Sequence, residues 1–91
     1  MYQLSTTQKF RKSFKKFKHN KAVKIELVKV IKILIENKHL AKEYKDHELP
    51  GDLKGLRELH IKPDIFLIYQ RQNNILILLL VNIGSHSDLF S

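Results

Sequence analysis

The hydrophobic period of this chain changes once, and that change constrains the fold more than any single residue. Phe10, Phe14 and Phe17 recur at i, i+4 and i+7, and Val23, Leu27, Val30, Ile31, Leu34 and Ile35 continue the same spacing, so each set lies along one face of a helix. Ile25, Val28 and Ile33 widen the second stripe, which predicts that the second helix is the more buried of the two. From residue 56 onward apolar residues alternate or run together in strand-length segments, roughly 56–62, 65–71 and 75–83. Gln72, Asn73 and Asn74 form a turn between the last two segments, and the third, apolar on both faces, reads as an interior strand. A short strand at residues 2–4 precedes a helix capped by Ser5, Thr6 or Thr7, and Asn20 is placed to end that helix in a left-handed conformation. Residues 38–55 are polar, hold two of the three glycines, and read as one long loop. The order βααβββ predicts an α+β fold over residues 1–91 as a single domain: a four-stranded antiparallel sheet with two helices packed on one face.

Composition narrows the chemistry. The chain has no cysteine, which excludes a disulfide framework, a thiolate metal site and a cysteine nucleophile. The longest apolar run, residues 75–81, falls far short of the roughly 18 residues of a membrane span, so no membrane partner is expected. No apolar h-region opens the chain, and a cytoplasmic protein is the expectation.

Charge is distributed unevenly. Residues 1–25 hold no acidic residue and eight of the seventeen basic ones: Lys9, Arg11, Lys12, Lys15, Lys16, Lys18, Lys21 and Lys24. The other nine basic residues balance all nine acidic ones, so the net charge of +8 belongs to the first quarter of the chain. That asymmetry points to a polyanionic partner, an RNA or an acidic protein segment, against the plainer alternative of a solvated helix face. The three phenylalanines among these charges read as packing residues rather than as platforms for bases.

Five histidines are present, and His19 and His39 fall at helix ends where solvent accounts for them. The other three lie in polar or Gly-flanked segments. Alternation in the strand 56–62 turns Leu59 and Ile61 toward the helices and Glu58, His60 and Lys62 toward the open face. His47 stands in the long loop and His86 in the tail. Singly, each is an ordinary surface histidine. Together with Asp64 they supply groups that give and take protons at neutral pH, as metal-free RNA cleavage requires: a base for the 2′-hydroxyl, an acid for the leaving 5′-oxygen, and cations for the phosphorane. Three histidines and an aspartate can also ligate zinc, but no close HxH or HExxH pair is present, so zinc is the weaker reading.

The segments "KDH", "KGxR", "HIKPD", "LIY" and "GSH…LF", in that order between residues 44 and 90, resemble the YafQ branch of the RelE-like toxins of bacterial toxin–antitoxin systems. The basic helical hairpin ahead of them agrees in length and order. The resemblance implies a RelE-like fold, a ribosome-dependent endoribonuclease (an mRNA interferase) that needs no cofactor, and a cognate acidic antitoxin. Its partners would then be that antitoxin, the ribosome and mRNA. By motif position it assigns catalytic places to His47, His60, Asp64 and His86, and the C-terminal aromatic place to Phe90. His86 falls to the proton donor, His60 and Asp64 to base and orienting roles, and His47 to the phosphate. Lys54, Arg57, Lys62, Arg71 and Asn82 are candidates for RNA contact, and Lys9, Arg11, Lys12, Lys15, Lys16 and Lys18 for antitoxin or ribosomal RNA.

Two positions depart from the family pattern: Ile65 replaces an aromatic after "PD", and Asn82 replaces an arginine two residues before the glycine of "GSH". Counting along the third strand puts Asn82 on the face of Leu78 and Leu80. Asparagine brings no charge to a transition state, and Arg57, Lys62 or Arg71 is left to compensate. The alternatives are therefore a catalytically weakened member acting as an antitoxin- or RNA-binding module, and a non-catalytic RNA-binding protein using the basic hairpin alone.

Overall fold

A computed structural model describes residues 1–90; Ser91, the last residue of the expected domain, lies outside the described residues. Strand β1 (Gln3–Thr6) leads into helix α1 (Gln8–Phe14), a 3₁₀ turn (Lys15–Phe17) and helix α2 (Lys21–Ile35). A 3₁₀ turn (Lys42–Tyr44), strand β2 (His47–Glu48) and another 3₁₀ turn (Gly51–Leu53) follow. The chain then forms β3 (Arg57–Lys62), β4 (Ile65–Gln72), β5 (Ile77–Gly84) and a short helix α3 (His86–Phe90).

The α+β class holds, but the sheet has five strands, in the order β1-β5-β4-β3-β2, rather than four. β1 pairs with β5 in parallel, and the remaining pairs are antiparallel. The extra strand comes from the segment read as loop: His47 and Glu48 pair with Glu58 and Arg57 at the edge of the sheet. Two residues have no periodicity to detect. The tail likewise forms a helix rather than an irregular end.

The caps explain how the helices are seated. Thr7 Oγ1 accepts from the Phe10 amide at 2.9 Å and donates to the Val81 carbonyl at 2.7 Å, so one hydroxyl starts α1 and ties it to β5. Such a cap contributes about 1 kcal/mol. Asn20 does not end a helix in the left-handed region; its φ is −99° and its side chain accepts from Val23 N at 3.1 Å, capping α2. Phe10 and the α2 line Val23, Leu27, Val30 and Leu34 meet Leu59, Ile61, Leu67, Tyr69, Leu78, Leu80 and Ile83 in one core, so both long helices cover the same sheet face. The widened stripe is not buried throughout: Ile25 is 65% and Val28 51% exposed. Only one line of a helix can press on a sheet, and these two residues lie off it.

A bulge decides which face the last strand offers to the site. Ile68 pairs with Asn82, but Tyr69 pairs with Leu80, leaving Val81 as the extra residue. Side-chain parity therefore reverses at Val81. Leu78, Leu80 and Ile83 face the helices, and Asn82 turns to the opposite face with its partner Ile68, correcting the placement read from simple alternation.

Candidate active site

The open face carries two rows of side chains across the strands. Asn82, Ile68, Glu58 and His47 form one; Gly84, Phe66 and His60 form the next. His60 thus lies away from the helices, as alternation predicts. α3 leaves β5 beside these rows and brings His86 over them.

Glu58 is the centre. Its side chain is 4% exposed, and its Oε1 lies 3.4 Å from Nε2 of His47 and 3.7 Å from Nε2 of His86. Its Oε2 is buried and has no hydrogen-bond partner among the described residues. A buried carboxylate costs several kcal/mol unless donors answer it, and the Nε2 atoms of His47 and His86 are the groups that stand nearest Glu58 Oε1. Phe66 joins the histidines from beneath: His86 stacks on it with centroids 4.2 Å apart, and His60 meets its edge at 4.5 Å. Phe90, one turn on in α3, packs edge-on against His86 at 5.3 Å.

Local structure fixes each histidine. The Lys45 carbonyl takes a hydrogen bond from Nδ1 of His47 at 2.6 Å. A carbonyl can only accept, so the neutral ring carries its lone pair on Nε2, facing Glu58. Lys45 has left-handed backbone (φ 50°), a conformation disfavoured for lysine and maintained by anchors on both sides. On one side the Tyr44 hydroxyl donates to Glu26 Oε2 of α2 at 2.9 Å. On the other, Asp46 accepts from Tyr69 OH at 2.6 Å and pairs with Arg57 through Nε at 3.2 Å and Nη2 at 3.3 Å. Burial and the Asp46 bond push the Tyr69 hydroxyl well above its ordinary pKa of 10, so it stays a donor.

His86 is set by a capping box. Ser85 Oγ accepts from Asp88 N at 3.2 Å and Asp88 Oδ2 accepts from Ser85 N at 3.1 Å, starting α3 at His86. His60, half-buried, has its pKa pushed below 6.5 by burial and then by the nearby charge of Lys45, with Glu58 acting in the opposite sense. It is therefore neutral at pH 7 and able to accept a proton.

Of the residues singled out by sequence, His47, His60, His86 and Phe90 come together. Asp64 stands exposed in the β3–β4 turn, and the charges that bear on His60 are Lys45, Glu58, His47 and His86 instead. Arg57 is committed to Asp46, and Arg71 points to the helix side, its guanidinium 5.9 Å from the Tyr2 ring and 5.8 Å from that of Tyr69. Neither reaches the histidines, and Lys54 is exposed beyond a 3₁₀ turn. Lys62 stays beside His60 at a shared cleft. Asn82 shares the site's face, but it is buried and its Oδ1 accepts from the next amide, Ile83 N, at 2.9 Å. Lys9, Arg11, Lys12, Lys15, Lys16 and Lys18 are exposed along α1 and the turn after it. Glu58 and Phe66 were missed as site residues. Alternation with His60 marked the face of Glu58 but not its burial, and "IFLIY" made Phe66 look like one strand residue among several.

The fold and this face define a class: a small α+β protein with a histidine–carboxylate surface on the uncovered side of its sheet, beside a basic helix. The family described as "Bacterial toxin of type II toxin-antitoxin system, YafQ" matches residues 2–91, and the chain belongs to that family. The mRNA interferase toxin YafQ of Escherichia coli K12 is 43% identical over 47 residues, 52% of this chain and 49% of that protein. The matched stretch thus spans about half the length of such curated relatives. A metal-bound toxin from Helicobacter pylori superposes with a TM-score of 0.91 at 43% identity, over 99% of this chain and 100% of that one. The toxin of the E. coli DinJ-YafQ complex superposes with a TM-score of 0.87 at 29% identity over the whole of both chains. Among the described residues of this chain, no group of three or more His, Cys, Asp or Glu side chains is arranged to hold a metal ion, and no helix is long and apolar enough to cross a membrane.

Proposed function

We propose that this protein is the toxin of a type II toxin–antitoxin system, a cytoplasmic mRNA interferase that cuts messenger RNA on the ribosome by acid–base chemistry of its own side chains. The observation that carries this reading is the convergence of His47 and His86 on one oxygen of the buried Glu58, beside a neutral His60. In this mechanism His60 takes the proton of the 2′-hydroxyl, whose oxygen attacks the adjacent phosphorus. His86, held by Glu58 and Phe66, gives a proton to the departing 5′-oxygen, leaving a 2′,3′-cyclic phosphate and a 5′-hydroxyl. His47, anchored through Nδ1 to the Lys45 carbonyl, is left to contact the phosphate. Asp64, exposed at the turn, is left to orient the incoming RNA.

An acidic antitoxin fits the other surface. The charges of α1 are open, and on α2 the exposed Ile25 and Val28 are flanked by Lys24, Lys29 and Lys32, a match for an amphipathic segment with acidic borders. Asn82 favours a second reading, a member with weakened cleavage that acts chiefly by binding, because a buried asparagine bonded to its neighbour's amide neutralises no phosphate charge. Inducible expression, with and without a cognate acidic antitoxin, tests the proposal through growth and mRNA integrity. Growth arrest with mRNA fragmentation, both relieved by the antitoxin, supports the toxin. Arrest with intact mRNA supports the second reading, and no effect on either defeats both.

A further inference from the structure

Beside the histidine cluster, α2, the turn at Lys42–Tyr44 and the β3–β4 corner enclose a cleft of about 510 Å³, within the range of about 300–1,000 Å³ typical of small-ligand pockets. His60 is its wall on the side of the active site. Lys45 and Lys62 line it, and neither has an ion-pair partner among the described residues. Lys45 is held at the rim by its left-handed backbone and by the flanking anchors of Tyr44 and Asp46. The floor carries Tyr44 and Glu26, whose carboxylate receives the Tyr44 hydroxyl and lies 3.4 Å from Lys29. The Tyr44 hydrogen bond holds Glu26 below the usual carboxylate range, so it remains ionised and retains lone pairs for further donors.

Unpaired cations, an aromatic ring and an ionised carboxylate beside a proposed catalytic base are complementary to a nucleotide: cations to its phosphate, ring and carboxylate to its base. We infer that this cleft is a nucleotide subsite. It takes the residue adjoining the scissile linkage, with its phosphodiester between Lys45 and Lys62 and its base over Tyr44, an amino group toward Glu26. The site's own face has lost other cations, since Arg57 and Arg71 lie on the helix side. The inference rests on the nuclease reading, and it gives a contact to Lys45, the first residue of the "KDH" segment, to which motif position assigned no role.

The test is binding of a short 2′-O-methyl oligoribonucleotide, which lacks the nucleophile and cannot be cleaved, to the full chain across a salt series. For single strands each phosphate contact contributes about 0.7 to the slope of log K against log salt. Lys45→Met with Lys62→Met should weaken binding about tenfold and flatten the slope by about 1.4, two contacts' worth. The His60 ring resonances should move on binding to the natural protein and not to the double variant. Lys21→Met with Lys38→Met removes the same charge from exposed positions outside the cleft and should change affinity far less; thermal melts of both variants exclude misfolding. Equal losses in the two double variants, or none in the first, would overturn the subsite. Binding that depends on Lys45 and Lys62 in a protein that cuts no mRNA would instead overturn the nuclease reading and sustain the subsite.

Discussion

The Phe66 ring lies almost flat against the His86 imidazole, with centroids 4.2 Å and planes 20° apart. The same ring meets His60 edge-on, so one side chain sets the separation of the proposed acid and base. Phe66→Leu keeps apolar bulk and removes both ring contacts, each of which contributes about 0.5–1.5 kcal/mol. Cleavage should fall roughly tenfold, with the protein still folded and antitoxin affinity unchanged. Single-turnover rates measured beside antitoxin titrations check it; undiminished cleavage would mean that the ring only fills space.

Gly84 is the second prediction. A Cβ there would lie 2.9 Å from Asp88 Cβ and 3.0 Å from Asp88 Oδ2, inside the capping box that starts α3. Gly84→Ala should cost about 1–3 kcal/mol by overpacking and displace His86, which a lowered melting temperature and slower cleavage would report. Ser85→Ala should cost about 0.5–2 kcal/mol by loss of the cap without that steric push.

Much of this architecture could be read from residue patterns. The change of period located α1, α2 and β3 to β5, and alternation at residues 58–62 put His60 on the correct face. The failures have physical causes. β2 is two residues long and exists because His47 and Glu48 find an edge, which no local pattern announces. The Val81 bulge is invisible in a run of leucines and isoleucines, yet it moves Asn82 to the other face. Glu58 alternated with His60 in plain view; its place at the centre depends on β2 and α3 both arriving above it. The capping box that starts α3 has its own local signature in "SHSD", a hydroxyl residue followed three positions later by a carboxylate.

The third prediction concerns pH. Burial and Lys45 lower the pKa of His60 below 6.5, so the unfolded chain binds this proton more readily than the folded one. His60 therefore subtracts from stability as pH falls through 6.5 toward its folded value, and has no such effect above 6.5. Its NMR titration midpoint should lie below 6.5 and rise in Lys45→Met. The natural protein should also lose stability relative to His60→Gln as the pH drops through this window. A midpoint at or above 6.5 would contradict the proposed base.

Asn82 carries the fourth. The bulge places it on the face of Glu58 and Phe66, two strands from Glu58, or about 9–10 Å at ordinary strand spacing. An arginine there would extend across Ile68 toward the histidines and bring the charge that asparagine lacks. A contact of this kind is commonly worth about 2.7–4 kcal/mol in the transition state, so Asn82→Arg should raise the cleavage rate, by up to about a thousandfold. Melting curves must accompany the rates, because residue 82 is buried. A folded variant that cuts no faster would show that another cation, Lys62 first among them, already serves.

The most direct measurement is single-turnover mRNA cleavage on programmed ribosomes by the natural protein, His86→Gln and Glu58→Gln. Glutamine at 86 keeps a hydrogen bond and removes the proton donor; glutamine at 58 keeps shape and removes the charge on which His47 and His86 converge. Each change should slow cleavage by about 10²–10⁴-fold, while binding to ribosome and antitoxin persists. Cleavage that survives both substitutions at the natural rate would contradict the assignment of this face as the catalytic site.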